Sequence, residues 1–203
     1  MHKYPPLQGD AMKLGIIELW RQNRELGDEG LEELAKVILN YDTLGRIFDS
    51  HEILGRRPED IGAVLDRDWI FNFQYNGNCP DANPNIPALL AVKESMSIDV
   101  LCVVSKSQYL CFAHPYNITG SPAGIGYQEI GIAFANLLYI EKGIDVNNLI
   151  VHEIGHTLGL KEYPLCGPSP NCWCEYSGHI MCPEDNSKGL HKMDIEKLSH
   201  LLK

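Results

Sequence analysis

The residues of this chain whose types and spacing could do chemistry together are His152-Glu153-Ile154-Gly155-His156-Thr157-Leu158-Gly159. Two histidines four apart, with a glutamate directly after the first, make an H-E-x-x-H arrangement. On a helix, positions i and i+4 share one face, so two imidazole nitrogens can converge on one metal ion. Glu153 is left beside that ion, free to act on water there. Three protein ligands would leave a fourth position open, which is what separates a catalytic zinc from a structural one. The chemistry this implies is metal-assisted hydrolysis. The metal lowers the pKa of water to about 7 and polarises a carbonyl, while Glu153 takes the proton and later passes it to the leaving group.

The rest of the chain must hold that helix in place. Asp145 or Asn147 can cap it, Leu149, Ile150 and Val151 give it a core face, and Gly159 ends it. Upstream, Leu14, Ile17 and Trp20 recur with helical spacing and predict a helix over about 12–26. Asp28 can cap a second helix to about residue 41, with Leu31, Leu34, Ala35, Ile38 and Leu39 as its apolar stripe. A short third helix fits 58–66, with Pro58 in its first turn. The first third therefore reads as helical.

From Trp69 the character changes. Residues 69–75 are rich in aromatic and β-forming side chains and read as a strand, followed by a loop over 76–87. A helix is expected over 87–96, then strands over 99–105 and 109–113. Residues 117–126 are turn-rich, and 127–139 carry one or two further strands or a short helix. Pro, Gly and Cys make 163–185 irregular. Leu190, Met193, Ile195, Leu198 and Leu201 fit a terminal helix lying against the core.

Composition narrows the class. The 203 residues, 44% hydrophobic and 22% charged, suit one globular domain or one domain with an extension. A net charge of −10 without a basic stripe argues against a nucleic-acid surface. No apolar run is long enough to span a bilayer, and the N-terminal stretch lacks the pattern of a signal peptide. Seven cysteines, four of them within 166–182, then point to thiol or metal chemistry in a cytoplasmic protein rather than a disulfide framework.

Residues 152–159 match H-E-x-x-H-x-x-G, and Gly178-His179-Ile180-Met181-Cys182-Pro183 resembles the Met-turn of metzincin metallopeptidases. The order of strands, motif helix, Met-turn and terminal helix is also similar to that clan, over roughly the C-terminal two-thirds. The cysteines around 166–182 look most like archaemetzincins, loosely, which hold a second zinc on cysteines near the catalytic site. Departures are plain. Glu162 stands where that family has its third histidine ligand, Tyr163 where it has cysteine, and His179 where it has cysteine before the Met. A downstream Cys-x-x-Cys is absent.

The resemblance implies a zinc-dependent metallopeptidase acting on peptide or protein substrates, with α/β (α+β) architecture and a twisted mixed sheet in a catalytic domain over 67–203; the helical residues 1–66 read as an extension before it, an integral subdomain in preference to a pro-segment. His152 and His156 would be ligands and Glu153 the general base. Glu162 is the preferred third ligand, because it follows the turn at Gly159 at the metzincin spacing and carboxylate oxygen binds zinc. His179 is the rival, and Glu175 ranks third. Cys166, Cys172, Cys174 and Cys182 could close a second, structural zinc site; reduced or disulfide-bonded thiols are the plainer alternative. Cys79 reads as a loop cysteine, Cys102 and Cys111 as core, and His114, His191 and His200 as residues without a partner pattern. The alternative from another class is a zinc-binding protein without turnover, regulatory or structural. An intact Glu153 tells against it, since a closed structural site has no use for a base.

Overall fold

The computed structural model describes residues 12–19, 25–54, 86–105, 124–137, 145–161, 179–181 and 190–201. Strands β1 (Met12–Leu19), β2 (Phe48–Leu54), β3 (Val100–Ser105), β4 (Gly124–Tyr127) and β5 (Ile132–Asn136) form one sheet in the order β2-β1-β3-β5-β4. Neighbours pair parallel throughout, except that β4 runs antiparallel to β5 at one edge. Helices are α1 (Gly27–Asn40), α2 (Asp42–Ile47), α3 (Ile86–Ser95), α4 (Val146–Thr157) and α5 (Lys192–Leu198), the last continuing into a 3-10 turn, Ser199–Leu201. The fold is mixed α/β. Among the described residues no helix is long and apolar enough to cross a membrane.

Two cores flank the sheet, as the alternation of side chains along a strand requires. On one face Leu14, Ile16, Val100, Cys102, Val104, Ala133 and Ala135 pack with α1 and α4. On the other, Ile17, Leu101, Val103, Ile132 and Phe134 pack with Leu89 and Val92 of α3. The small residues Ala133 and Ala135 face α4, so the helix carrying the histidines can sit close to β5.

The expected helix over 12–26 does not form: its first half is β1, a strand inside the sheet. A strand covered on both faces reads as a continuous apolar run, and Leu14 with Ile17 then mimics a helical repeat. The first third thus supplies two strands as well as helices, with β1 and β2 paired into the same sheet as β3. The boundary expected at 66/67, the helix over 58–66 and the strands over 69–75 and 109–113 fall outside the described residues, as does Cys111.

Asp28 does not cap α1. It lies inside the first turn, and the buried carboxylate of Glu18, at the end of β1, accepts instead from Glu25 N, Leu26 N and Gly27 N at 2.6, 3.0 and 3.0 Å. A carboxylate there satisfies amides that a helix start leaves open and complements its dipole. At the other end of the chain, α5 buries Asp194 and Leu198, while Met193 and Ile195 stay 36% and 39% exposed. Those two were expected in the core.

Candidate metal centre

Helix α4 begins where the sequence predicts. The Asp145 side chain accepts from Asn147 N at 2.9 Å, and the helix then buries Leu149, Ile150, Val151 and Ile154 against the sheet. That register leaves His152 and His156 on one face, with their Nε2 atoms 3.1 Å apart and their rings edge to face at 4.7 Å. His152 and Glu153 are buried, and His156 is half-buried.

Each ring is oriented by a backbone carbonyl. His152 Nδ1 lies 2.6 Å from Ile180 O, and His156 Nδ1 lies 3.0 Å from Leu160 O. A carbonyl oxygen only accepts, so both Nδ1 atoms donate and carry the proton of the neutral ring. The lone pairs therefore sit on the two Nε2 atoms, which face each other. Two acceptors at 3.1 Å repel unless a cation, a proton or a metal ion, lies at their junction.

The turn after α4 makes the second of these contacts possible. Gly159 adopts φ +92°, a conformation that suits glycine, and Leu160 N donates back to Gly155 O at 2.9 Å. The chain is thereby folded back along the last helical turn, bringing Leu160 O to His156 Nδ1. Beneath the helix, Met181 is fully buried against Gly155: a Cβ at that glycine would meet Met181 Sδ at 2.6 Å. Segment 179–181 thus packs on the middle of the motif, and Ile180 delivers its carbonyl to His152.

The edge strand β4 closes the other side. A Cβ at Gly124 would lie 2.7 Å from Glu153 Oε1, and one at Gly126 would lie 2.2 Å from Glu153 O and 2.7 Å from His156 Cβ. Only glycine at both positions lets an antiparallel edge strand come this near the helix. Under the site, burial first and the charge of Glu153 second push the Cys102 thiol up to about 12. The described thiol nearest the motif is thus kept neutral, as a core residue.

Of the residues singled out in the sequence, His152 and His156 are brought together, with Glu153 beside them on α4. Glu162, Glu175, Cys166, Cys172, Cys174, Cys182, Cys79 and His114 lie outside the described residues. His179 is described, and its ring packs edge to face on His191 at 4.8 Å. Among the described residues no group of three metal-ligating side chains comes together. Three contributors were not anticipated: the carbonyl of Ile180, the carbonyl of Leu160 and the glycines of β4. Alternating glycines in Gly124-Ile125-Gly126 were the one signal available, and a turn-rich reading hid it.

The donor set fits a zinc ion. Two nitrogens each 2.0–2.1 Å from a tetrahedral zinc stand about 3.3 Å apart, close to the 3.1 Å separation here. A carbonyl on the far nitrogen of each ring is the usual outer support of a metal-bound histidine.

Thirteen chains of solved structures match this one. Among them is archaemetzincin from Methanopyrus kandleri, 16% identical, with a TM-score of 0.51, covering 97% of this chain and 98% of that one. The likeness is one of fold. No protein-family model matches the sequence, and no curated protein matches it.

Proposed function

We propose that this protein is a zinc-dependent metallopeptidase. The observation that carries the reading is the opposed pair of Nε2 atoms, 3.1 Å apart, with both Nδ1 atoms committed to carbonyls. The archaemetzincin-like fold supports it. His152 and His156 hold the metal, and Glu162 is the third ligand. Leu160 O, two residues before Glu162, lies 3.0 Å from His156 Nδ1, so the chain leaves the turn beside the site. His179 is the rival for that position.

When bound, zinc supplies Lewis acidity toward a carbonyl oxygen and a lowered water pKa. The chain itself contributes backbone and side-chain groups. Ile180 O and Leu160 O keep protons on Nδ1 and lone pairs on Nε2. Glu153 holds a carboxylate at the edge of β4, where it accepts a proton from water and returns it to the departing amine. Gly124 leaves that carboxylate room. The 178–183 segment acts as a Met-turn, with Met181 as a packing residue.

Glu153→Gln tests the assignment. The variant should bind zinc like the wild type while cleavage of a mixed peptide library falls about 10²- to 10⁴-fold, the usual share of a general base. Undiminished cleavage would remove Glu153 from the mechanism. Chelator-insensitive cleavage, or none from zinc-loaded wild type, would favour a zinc-binding protein without turnover. Metal analysis addresses Cys166, Cys172, Cys174 and Cys182 as a second zinc site: two zinc ions per chain support it, and one excludes it.

A further inference from the structure

A second pair of histidines lies close to the first. His179 and His191 meet edge to face at 4.8 Å and 78°, almost the arrangement of His152 and His156. Their protonation differs. His191 is the N-cap of α5, and its Nδ1 accepts from Met193 N at 3.3 Å. The neutral ring therefore carries its proton on Nε2 and offers no lone pair there to a metal. His191 is thus a helix cap rather than a ligand.

What that pair holds is the segment that orients a ligand. His191 is buried and doubly fixed, since its own N–H also donates to the buried Asp194 carboxylate in a capping box. Its ring bears on His179. The next residue, Ile180, is fully buried and accepts from His152 Nδ1 at 2.6 Å. Met181, also fully buried, wedges under Gly155.

Resting on the metal-centre reading above, we propose that His191 is a positioning residue of that centre. It acts through His179 and the Ile180 carbonyl on the tautomer and ring orientation of His152. The coupling passes from the start of α5 to the metal site through one ring contact and one buried hydrogen bond.

Two substitutions separate the ring of His191 from its cap. Asparagine caps well, so His191→Asn keeps an acceptor for Met193 N and removes the ring. His191→Phe keeps an edge-to-face ring against His179 and removes the acceptor. Zinc affinity, by competition with a chromophoric chelator, and Tm of the metal-free protein are measured on the full chain. For His191→Asn, the expected result is a near-native Tm with zinc affinity lowered about 10- to 100-fold, the size seen when an outer partner of a ligand is lost. Its cobalt(II) form should show a shifted visible spectrum. For His191→Phe, Tm should fall by about 2–4 °C, with affinity near wild type. The proposal is overturned if affinity follows Tm across the two variants, or if His191→Asn has native affinity and spectrum. Wild type and Glu153→Gln both failing to take up zinc would overturn the metal-centre reading and this proposal together, a result distinct from either of those.

Discussion

The two histidine pairs among the described residues match in ring distance and angle: centroids 4.7 and 4.8 Å apart, planes at 85° and 78°. They differ in what surrounds Nδ1. In His152 and His156 it faces carbonyl oxygens, so protons are drawn away from the shared side and two lone pairs are left opposed. In His191 it faces a backbone N–H, so the proton is driven to Nε2. Ring distance alone does not distinguish a metal pair from a packing pair. For His152, His156 and His191 the backbone atom behind Nδ1 does.

That difference is broken most directly by removing one ring from each pair. His156→Ala should lose zinc more completely than the 10- to 100-fold expected when only an outer partner goes, because a ligand is deleted outright. His191→Asn should keep a weakened site. Equal losses from the two, in a chelator competition, would mean that both pairs bind metal.

The next effect concerns Glu153 rather than the histidines. Gly124→Ala places a Cβ 2.6 Å from Glu153 Cγ, 2.7 Å from its Oε1 and 2.7 Å from Phe134 O, so the Glu153 side chain must move and the edge strand must give, while neither ring is met. Zinc content should be native and turnover lowered, by up to the roughly 10²- to 10⁴-fold of losing the base. Gly126→Ala should do more harm, since its Cβ comes within 2.2 Å of Glu153 O and 2.7 Å of His156 Cβ, a deeper clash and one with the motif helix itself. Native turnover in Gly124→Ala would show that the carboxylate works elsewhere.

Alkaline pH probes the floor of the first pair. Burial and Glu153 raise the Cys102 thiol from 9.0 to about 12, and burial and Glu129 raise Tyr127 from 10.0 to about 12. For both groups the folded state holds its proton where the unfolded state has lost it. Stability is therefore full below about pH 9 and falls as pH rises toward 12. Denaturant melts from pH 8 to 11 should show that slope, and Cys102→Ala should flatten it between 9 and 12. Native protein at pH 8 should leave Cys102 unalkylated. Rapid native-state alkylation of that thiol would mean that the helix is not seated on the sheet as described.

The contrast also explains what was legible beforehand. Helix α4 was readable because its signals are local: Asp145 at the start, Gly159 at the stop, apolar residues between. Strand β3 was readable as a bounded apolar run. Strand β1 was not, because burial on both faces erases alternation and leaves Leu14 and Ile17 at a helical interval. Strand β4 was hidden by the glycines that its closeness to α4 demands. The orienting groups of the site were out of reach for a different reason. Carbonyls of Ile180 and Leu160 belong to the backbone, which every residue type shares, and His191 gains meaning only once the chain brings it to His179.

The smallest expected effect tests how α5 is anchored for the second pair. Its apolar residues were expected to face the core together, yet Met193 is 36% and Ile195 39% exposed, while Leu198 and Asp194 are buried. The helix is held by its cap and by one side, not by its whole apolar stripe. Met193→Ala should therefore change stability by no more than about 0.5 kcal/mol and leave zinc affinity alone, whereas Leu198→Ala should cost about 2–5 kcal/mol. Chemical denaturation of both variants measures the difference. A loss at Met193 approaching that at Leu198 would mean that α5 seats through its apolar face. The position of His191, and through it His179, would then follow from helix packing rather than from the cap.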